Sequence, residues 1–136
     1  MTDITPKSRL EGKRGHVVHT RPWQTIADFY RDFVARGVPV EPLLSLVEAI
    51  GSSAVASQLF GATSMSDLLV SDAQDFRRGD GTLWISYRAS EHEFAFRHIT
   101  FSGGNDQKTC AEAEALQTLR LFVRMKYGVL LETPTV

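Results

Sequence analysis

Between Thr82 and Phe101 the chain reads TLWISYRASEHEFAFRHITF. Leu83, Ile85 and Tyr87 alternate with Trp84, Ser86 and Arg88, the period of two that marks a half-buried strand. After Ala89-Ser90-Glu91-His92 the alternation resumes, with Phe94 and Phe96 set against Ala95 and Arg97. Folding the segment about Ser90-Glu91 makes a β-hairpin. Tyr87 then faces Phe94, Ile85 faces Phe96, and Leu83 faces His98. On the opposite face Arg88 meets Glu93 as an ion pair, and Trp84 meets Arg97 as a cation–π contact. Both faces are chemically sensible, which supports this register. Ser-Glu is a poor type I′ pair, so a four-residue loop is expected at the tip. Ile99 and Phe101 fall on the parity opposite to Phe94 and Phe96. A bulge near Arg97-His98 would return them to the apolar face; otherwise that strand is buried on both faces. Each of those large side chains is worth roughly 1.5–3 kcal/mol when fully buried. A lone hairpin cannot bury them, so helices must cover it.

The rest of the chain supplies such helices. From Thr20 to Arg36, residues Trp23, Ile26, Ala27, Tyr30, Phe33 and Val34 repeat at helical spacing, with Pro22 in the first turn. Gly37 and Pro39 end that helix. Pro42 to Ile50 is a second helix, apolar on more than one face. Gly51-Ser52-Ser53 breaks it, and a shorter helix is expected from Ser53 to about Phe60. Met65 to Ser71 reads as a first strand, with Leu68 and Val70 on one face. Asp72 to Gly81 is a polar connection that ends in an Asp-Gly turn. Ser102 to Gln107 reads as a loop. Thr109-Cys110-Ala111-Glu112 has the form of a capping box. A last helix then runs to Tyr127, with Leu116, Leu119, Phe122, Val123 and Tyr127 inward and Gly128 beyond its end. Basic Arg120, Arg124 and Lys126 sit late in it, as the helix dipole prefers.

The expected fold class is therefore α+β: a small antiparallel sheet of three to four strands packed on three to four helices, in the order α-α-β-β-β-α. The 136 residues form a single domain, with residues 1–15 a polar arm and residues 20–128 the globular core. The arm carries Lys7, Arg9, Lys13 and Arg14 against Asp3 and Glu11. It reads as a flexible end, or as a basic grip on an acidic partner.

Composition narrows the function classes. A net charge of −1 indicates no nucleic-acid binder. The most apolar stretch, Val40 to Phe60, is broken by Glu41, Pro42, Glu48 and Gly51, so no membrane association is expected. A single cysteine, Cys110, allows no internal disulfide. With no apolar leader in MTDITPKSRLEG, this points to a cytoplasmic protein.

Candidate chemistry is sparse. Gly103 to Thr109 precedes the expected helix, but no glycine stands before Lys108 as a P-loop requires. His16 and His19 form H-x-x-H without the glutamate of a zinc protease. Glu91-His92-Glu93 lies at a hairpin tip, where alternate residues point apart. Asp72, Asp75 and Asp80 share a loop, but Gln74 and Phe76 stand where a calcium loop needs oxygens. No metal site and no cofactor are expected. Cys110 is either a small residue packed in a first helical turn or a thiol acidified there. The outer hairpin face remains. Trp84, Arg88, Glu93 and Arg97 form an aromatic and charged patch, of the residue types that dominate interface hot spots. The bland alternative is a helix covering that face, with Trp84 in the core.

Thr63-Ser64-Met65 running into Leu68-Leu69-Val70, followed by Leu83-x-Ile85-x-Tyr87 and Phe94-x-Phe96, resembles the layout of small bacterial immunity proteins. These neutralise toxins of polymorphic or contact-dependent systems. The resemblance spans roughly residues 22–128 and rests on structural patterns. It implies a non-catalytic cytoplasmic inhibitor that binds a cognate protein toxin and occludes its surface. The alternative is a small ligand-binding domain or enzyme, with a pocket between sheet and helices using His98, Tyr87 and Asp75 or Asp80. A homodimeric module is a third reading.

Overall fold

The computed structural model describes residues 17–77, 81–100 and 105–132. The polar arm, His16, Asp80, Phe101 and residues 102–104 lie outside them. Among the described residues the order is helix α1 (Trp23–Ala35), helix α2 (Glu41–Gly51), strands β1 (Phe60–Ser64), β2 (Asp67–Ser71), β3 (Thr82–Arg88), β4 (Glu93–Ile99) and β5 (Asn105–Ala111), and helix α3 (Ala115–Tyr127). The class is α+β, as expected. The sheet has five strands rather than three to four. It is a continuous antiparallel meander, β1-β2-β3-β4-β5.

The central hairpin has the expected register. Tyr87 pairs with Phe94, Ile85 with Phe96, Leu83 with His98, Trp84 with Arg97, and Arg88 with Glu93. Its loop is the four-residue kind: a 3₁₀ turn, Ala89–Glu91, closed by His92 at φ 52°. No bulge interrupts β4. Pairing runs unbroken to Thr82 and Ile99, so His98 itself faces the core and Ile99 points the other way. The alternation that suggested a bulge is satisfied because both faces at that end are partly covered.

The inner face carries Leu68, Val70, Leu83, Ile85, Phe94 and Phe96, all essentially inaccessible to water. Ile26 and Tyr30 of α1, Leu43, Val47 and Ile50 of α2, and Leu119, Phe122 and Val123 of α3 close over it. Rings run through this layer in succession. Tyr87 and Phe94 have centroids 4.9 Å apart, Phe94 and Phe96 5.9 Å, and Phe96 stacks on Phe122 at 5.8 Å. These separations lie in the range where aromatic pairs attract beyond their buried area.

Both long terminal stops follow from glycine. After α1, Gly37 adopts φ 88°, its N–H bonds to Val34 O, and the Val38 N–H reaches Phe33 O. After α3, Gly128 adopts φ 67° and the Val129 N–H reaches Val123 O. The first closes its turn as a Schellman motif does, while the second uses the 5→1 bond of the αL motif, from the Gly128 N–H to Arg124 O.

Three expected elements differ. The helix from Ser53 to Phe60 is only a 3₁₀ turn, Ala56–Gln58. The Trp23 indole N–H donates to Ala56 O and Leu59 O at 3.2 and 3.0 Å, carbonyls that a continuing helix would have used itself. Phe60 instead begins β1. The strand from Met65 begins at Asp67, because Met65 and Ser66 form the tip of the β1–β2 hairpin, with Met65 at φ 56° and fully out in water. The capping box at Thr109 is not a helix start. Thr109, Cys110 and Ala111 lie in β5, opposite Ala95, Phe94 and Glu93. Cys110 fills a core position beside Phe94, and the helix begins only after the 3₁₀ turn Glu112–Glu114. Pairing with β4 satisfies backbone groups that the expected loop would have left to solvent.

Gly61 tests the packing between α1 and β1. A methyl group there would lie 2.5 and 2.6 Å from the Trp23 ring carbons and 3.0 Å from Ile26 Cδ1. The indole cannot swing away without losing its two carbonyl bonds. Gly61→Ala is expected to cost about 1–3 kcal/mol of unfolding free energy by urea denaturation, through overpacking. In a Trp23→Leu background the same change should cost clearly less. Equal costs in both backgrounds would show that the ring is not what excludes the methyl.

Candidate functional site

Burial of one face of a strand exports the alternate residues to the other face. With Leu83, Ile85 and Tyr87 inward, β3 presents Trp84, Ser86 and Arg88 outward. By the same register β4 presents Glu93, Ala95 and Arg97, and β5 presents Gln107 and Thr109. No helix among the described residues covers this part of the sheet. The structure thus brings together all four residues named from the sequence, and Trp84 is half-buried rather than core.

Small residues shape the patch. Ser86, Ala95 and Thr109 lie side by side across three strands. Trp84 and Arg97 rise on one flank, and Arg88 and Glu93 on the other. The result is a shallow concavity of about 260 Å³. Trp84 is held in place, its Nε1–H donating to Asp67 Oδ2 at 2.7 Å. The Arg97 guanidinium sits 5.9 Å from the indole centroid. Among the described residues no carboxylate pairs with Arg97, whose side chain is exposed. Arg88 and Glu93 pair at 3.0 Å. An exposed pair of this kind contributes little to stability. Chemically the patch offers a fixed aromatic plane, a cation with no carboxylate partner among the described residues, and amide and hydroxyl groups. These suit recognition of a polar or acidic surface.

Half of this outer face is closed. Leu69 and Ala62 point outward from β2 and β1 yet are buried, as is Phe76 from the following segment. The chain around Val18 is tied there, its N–H bonding to Phe76 O at 2.7 Å, and the Thr82 hydroxyl reaches Arg77 O at 3.3 Å. The open area is therefore β3, β4 and β5.

The residues suggested for an enzymatic pocket are not brought together. Tyr87 and His98 lie at opposite ends of the hairpin's inner face. Asp75 is in the loop after β2, accepting from the Thr20 N–H at 3.1 Å with His19 nearby at 3.6 Å. Sequence reading missed one cluster. The Tyr87 hydroxyl donates to Glu112 Oε1 at 2.7 Å, and His92 Nδ1 lies 3.4 Å from the same oxygen. Only the β4–β5 register, which the sequence pattern does not show, places Glu112 beside His92. Burial, and then the carboxylate it donates to, push the Tyr87 phenol up to about 12. A phenol so raised is a firm donor and a poor base at neutral pH. Among the described residues no three His, Cys, Asp or Glu side chains converge as metal ligands would.

Cavities also lie elsewhere among the described residues. One of about 570 Å³ runs along α3 beside Arg120, Leu121, Arg124 and Leu130. Another of about 350 Å³ lies between α1 and α2, crossed by the Arg31–Glu48 pair at 2.8 Å. The first is larger than the sheet concavity, but it has no aromatic side chain and Arg120 is engaged by Leu131 O at 2.7 Å.

Set against protein-family models, curated proteins and solved structures, the chain matches none. No helix among the described residues is long and apolar enough to cross a membrane.

His98 is a buried ionisable group on the inner face of the sheet. It is 7% exposed, its Nε2 has no hydrogen-bond partner, and its ring meets Tyr127 edge-on at 5.7 Å. Burial first, then nearby Lys126, hold its pKa below 6.5, while Asp106 and Asp72 only partly oppose them. The unfolded chain therefore binds a proton that the folded chain refuses. Stability contributed by neutral His98 is present above pH 6.5 and falls as acid is added, by at most about 1.4 kcal/mol per pH unit. Urea unfolding from pH 7.5 to 5 should show this decline, and His98→Leu should flatten it. Parallel curves for the two proteins would refute the assignment.

Proposed function

We propose that this chain is a non-catalytic binding protein of the immunity type, which neutralises a cognate protein toxin by covering its surface. The observation that carries the reading is the open concave face of β3–β5, where Trp84 is fixed by Asp67 and Arg97 lies over it without a carboxylate among the described residues. A rigid indole loses little entropy on binding, and an unpaired guanidinium gains most when an acidic group is brought to it.

Size limits how that face acts. Three strands of seven residues cover roughly 330 Å². A standard interface takes about 800 Å² from each partner. The concavity is then the centre of a larger contact that extends over the hairpin tip at Ala89–His92. Charge at such a rim steers approach, and the central indole and guanidinium set the lifetime of the complex.

The test is binding to the toxin encoded in the neighbouring reading frame, measured by calorimetry. Arg97→Ala should weaken binding by about tenfold or more, and Trp84→Ala with Arg97→Ala by about a hundredfold. Arg88→Ala, which removes a group already paired to Glu93, should change it by less than about fivefold. Thermal melts of each variant separate lost binding from lost folding. Unchanged affinity in folded Trp84→Ala/Arg97→Ala would remove the sheet face from the mechanism.

A further inference from the structure

The two edges of the sheet are treated differently. On β1 the outer edge is occupied, since Arg21 bridges to Gly61 with its N–H on Gly61 O at 3.0 Å. On the other side, β5 pairs with β4 and, among the described residues, with nothing else. It is seven residues long, and all but Cys110 are exposed. An edge of that length offers a full row of backbone donors and acceptors.

Charges on the strand decide which second strand it can accept. A lysine on an edge normally discourages pairing, and a two-fold axis at Lys108 would set ammonium against ammonium. Moving the axis by one residue reverses the sign. With Gln107 opposite Gln107 of a second copy, Asp106 lies opposite Lys108 and Lys108 opposite Asp106, twice over. Asn105 then meets Thr109, a polar match. Asp106 already holds the Lys126 ammonium through Oδ2, which leaves its other oxygen for the incoming lysine.

We infer that β5 joins β5 of a second copy of this chain, antiparallel and centred on Gln107, making a ten-stranded sheet across a two-fold axis. The pairing is isologous, as a closed dimer requires. Trp84, Arg97 and Gln107 lie in one cross-strand row. The axis continues that row into Gln107, Arg97 and Trp84 of the second copy. The open outer face is thereby doubled in width. The inference depends on the edge alone and stands whether or not the partner on the sheet face is a toxin.

Sedimentation velocity over a concentration series tests it without any ligand. The wild-type chain should sediment as a dimer that dissociates on dilution. Lys108→Asp should yield monomer, and Asp106→Lys with Lys108→Asp should restore the dimer because the opposed charges match again. In a Cys110→Ala background, Gln107→Cys should give a disulfide-linked dimer on mild oxidation, since paired Cα atoms lie about 4.5–5.5 Å apart. Thr109→Cys should not, because its two copies are roughly 13 Å apart along the strand. Circular dichroism confirms that each variant is folded. A wild-type chain that stays monomeric at the highest attainable concentration overturns the inference. So does a dimer untouched by Lys108→Asp, or one that cross-links through Thr109→Cys instead of Gln107→Cys.

Discussion

Six side chains on one face of a single hairpin leave water together, and the other elements are arranged by that requirement. Leu83, Ile85 and Tyr87 on β3 stand opposite His98, Phe96 and Phe94 on β4. Neither strand can bury these groups alone. Each helix turns an apolar stripe onto them, and Phe122 of α3 stacks flat on Phe96. Because strand periodicity is two, the same requirement sets the composition of the outer face. A slip of one residue would put Trp84 and Arg97 into the core and Ile85 and Phe96 into water. The placement of the candidate site is thus a consequence of core formation, with no separate device needed to expose it.

Aromatic residues with polar tips hold the layers in register where regular pairing ends. Trp23 takes two carbonyls at the turn before β1. The Tyr30 hydroxyl donates to Ser66 O at the β1–β2 tip, at 3.0 Å. The Tyr127 hydroxyl lies 3.1 Å from Val70 O and 2.6 Å from Gly81 O, joining the end of β2 to the start of β3 from the helix side. Burial raises the pKa of both phenols above the ordinary tyrosine value, so they remain protonated donors throughout the physiological range. Such contacts cost little at the tip and bury a large apolar ring behind it. His98 is the exception in this set. Its ring fills space against Tyr127, but its Nε2 finds no acceptor.

The hairpin was legible because two independent patterns agreed, apolar alternation on one face and paired charges on the other. The outer-face residues followed directly from it. The flanking strands were not legible, for different reasons. β1 reads FGATS, where Gly61 and Ala62 give no alternation, and its glycine is required by the Trp23 ring rather than by a turn. β5 reads NDQKTCA, in which Cys110 alone is buried, so an exposed edge strand has the composition of a loop. Thr109 and Glu112 matched a helix start by residue type, but tertiary pairing with β4 overrode that local preference. The cluster of Tyr87, His92 and Glu112 depends on the same missed pairing. A bulge at Arg97-His98 was one of two ways to accommodate Ile99, and the register shows the other, a strand end partly covered on both faces.

Covering one half of the outer face and leaving the other half open has a physical logic. Leu69 on β2 and Ala62 on β1 are apolar and outward, so that half must be covered, and both are buried, as is Phe76 beside it, which is tied to Val18. From β3 onward the outward residues include Ser86, Ala95, Thr109 and Gln107, small or polar groups that water solvates adequately. Covering them would strip hydration from Arg88, Glu93 and Arg97 with too little apolar area in return. The open half is therefore stable as it stands, and Trp84, at the boundary, is partly sheltered by one half and partly presented by the other. A large ring fixed by Asp67 at that boundary does not collapse onto the sheet. It keeps its shape, and so the proposed recognition centres on this boundary rather than on the roomier groove along α3.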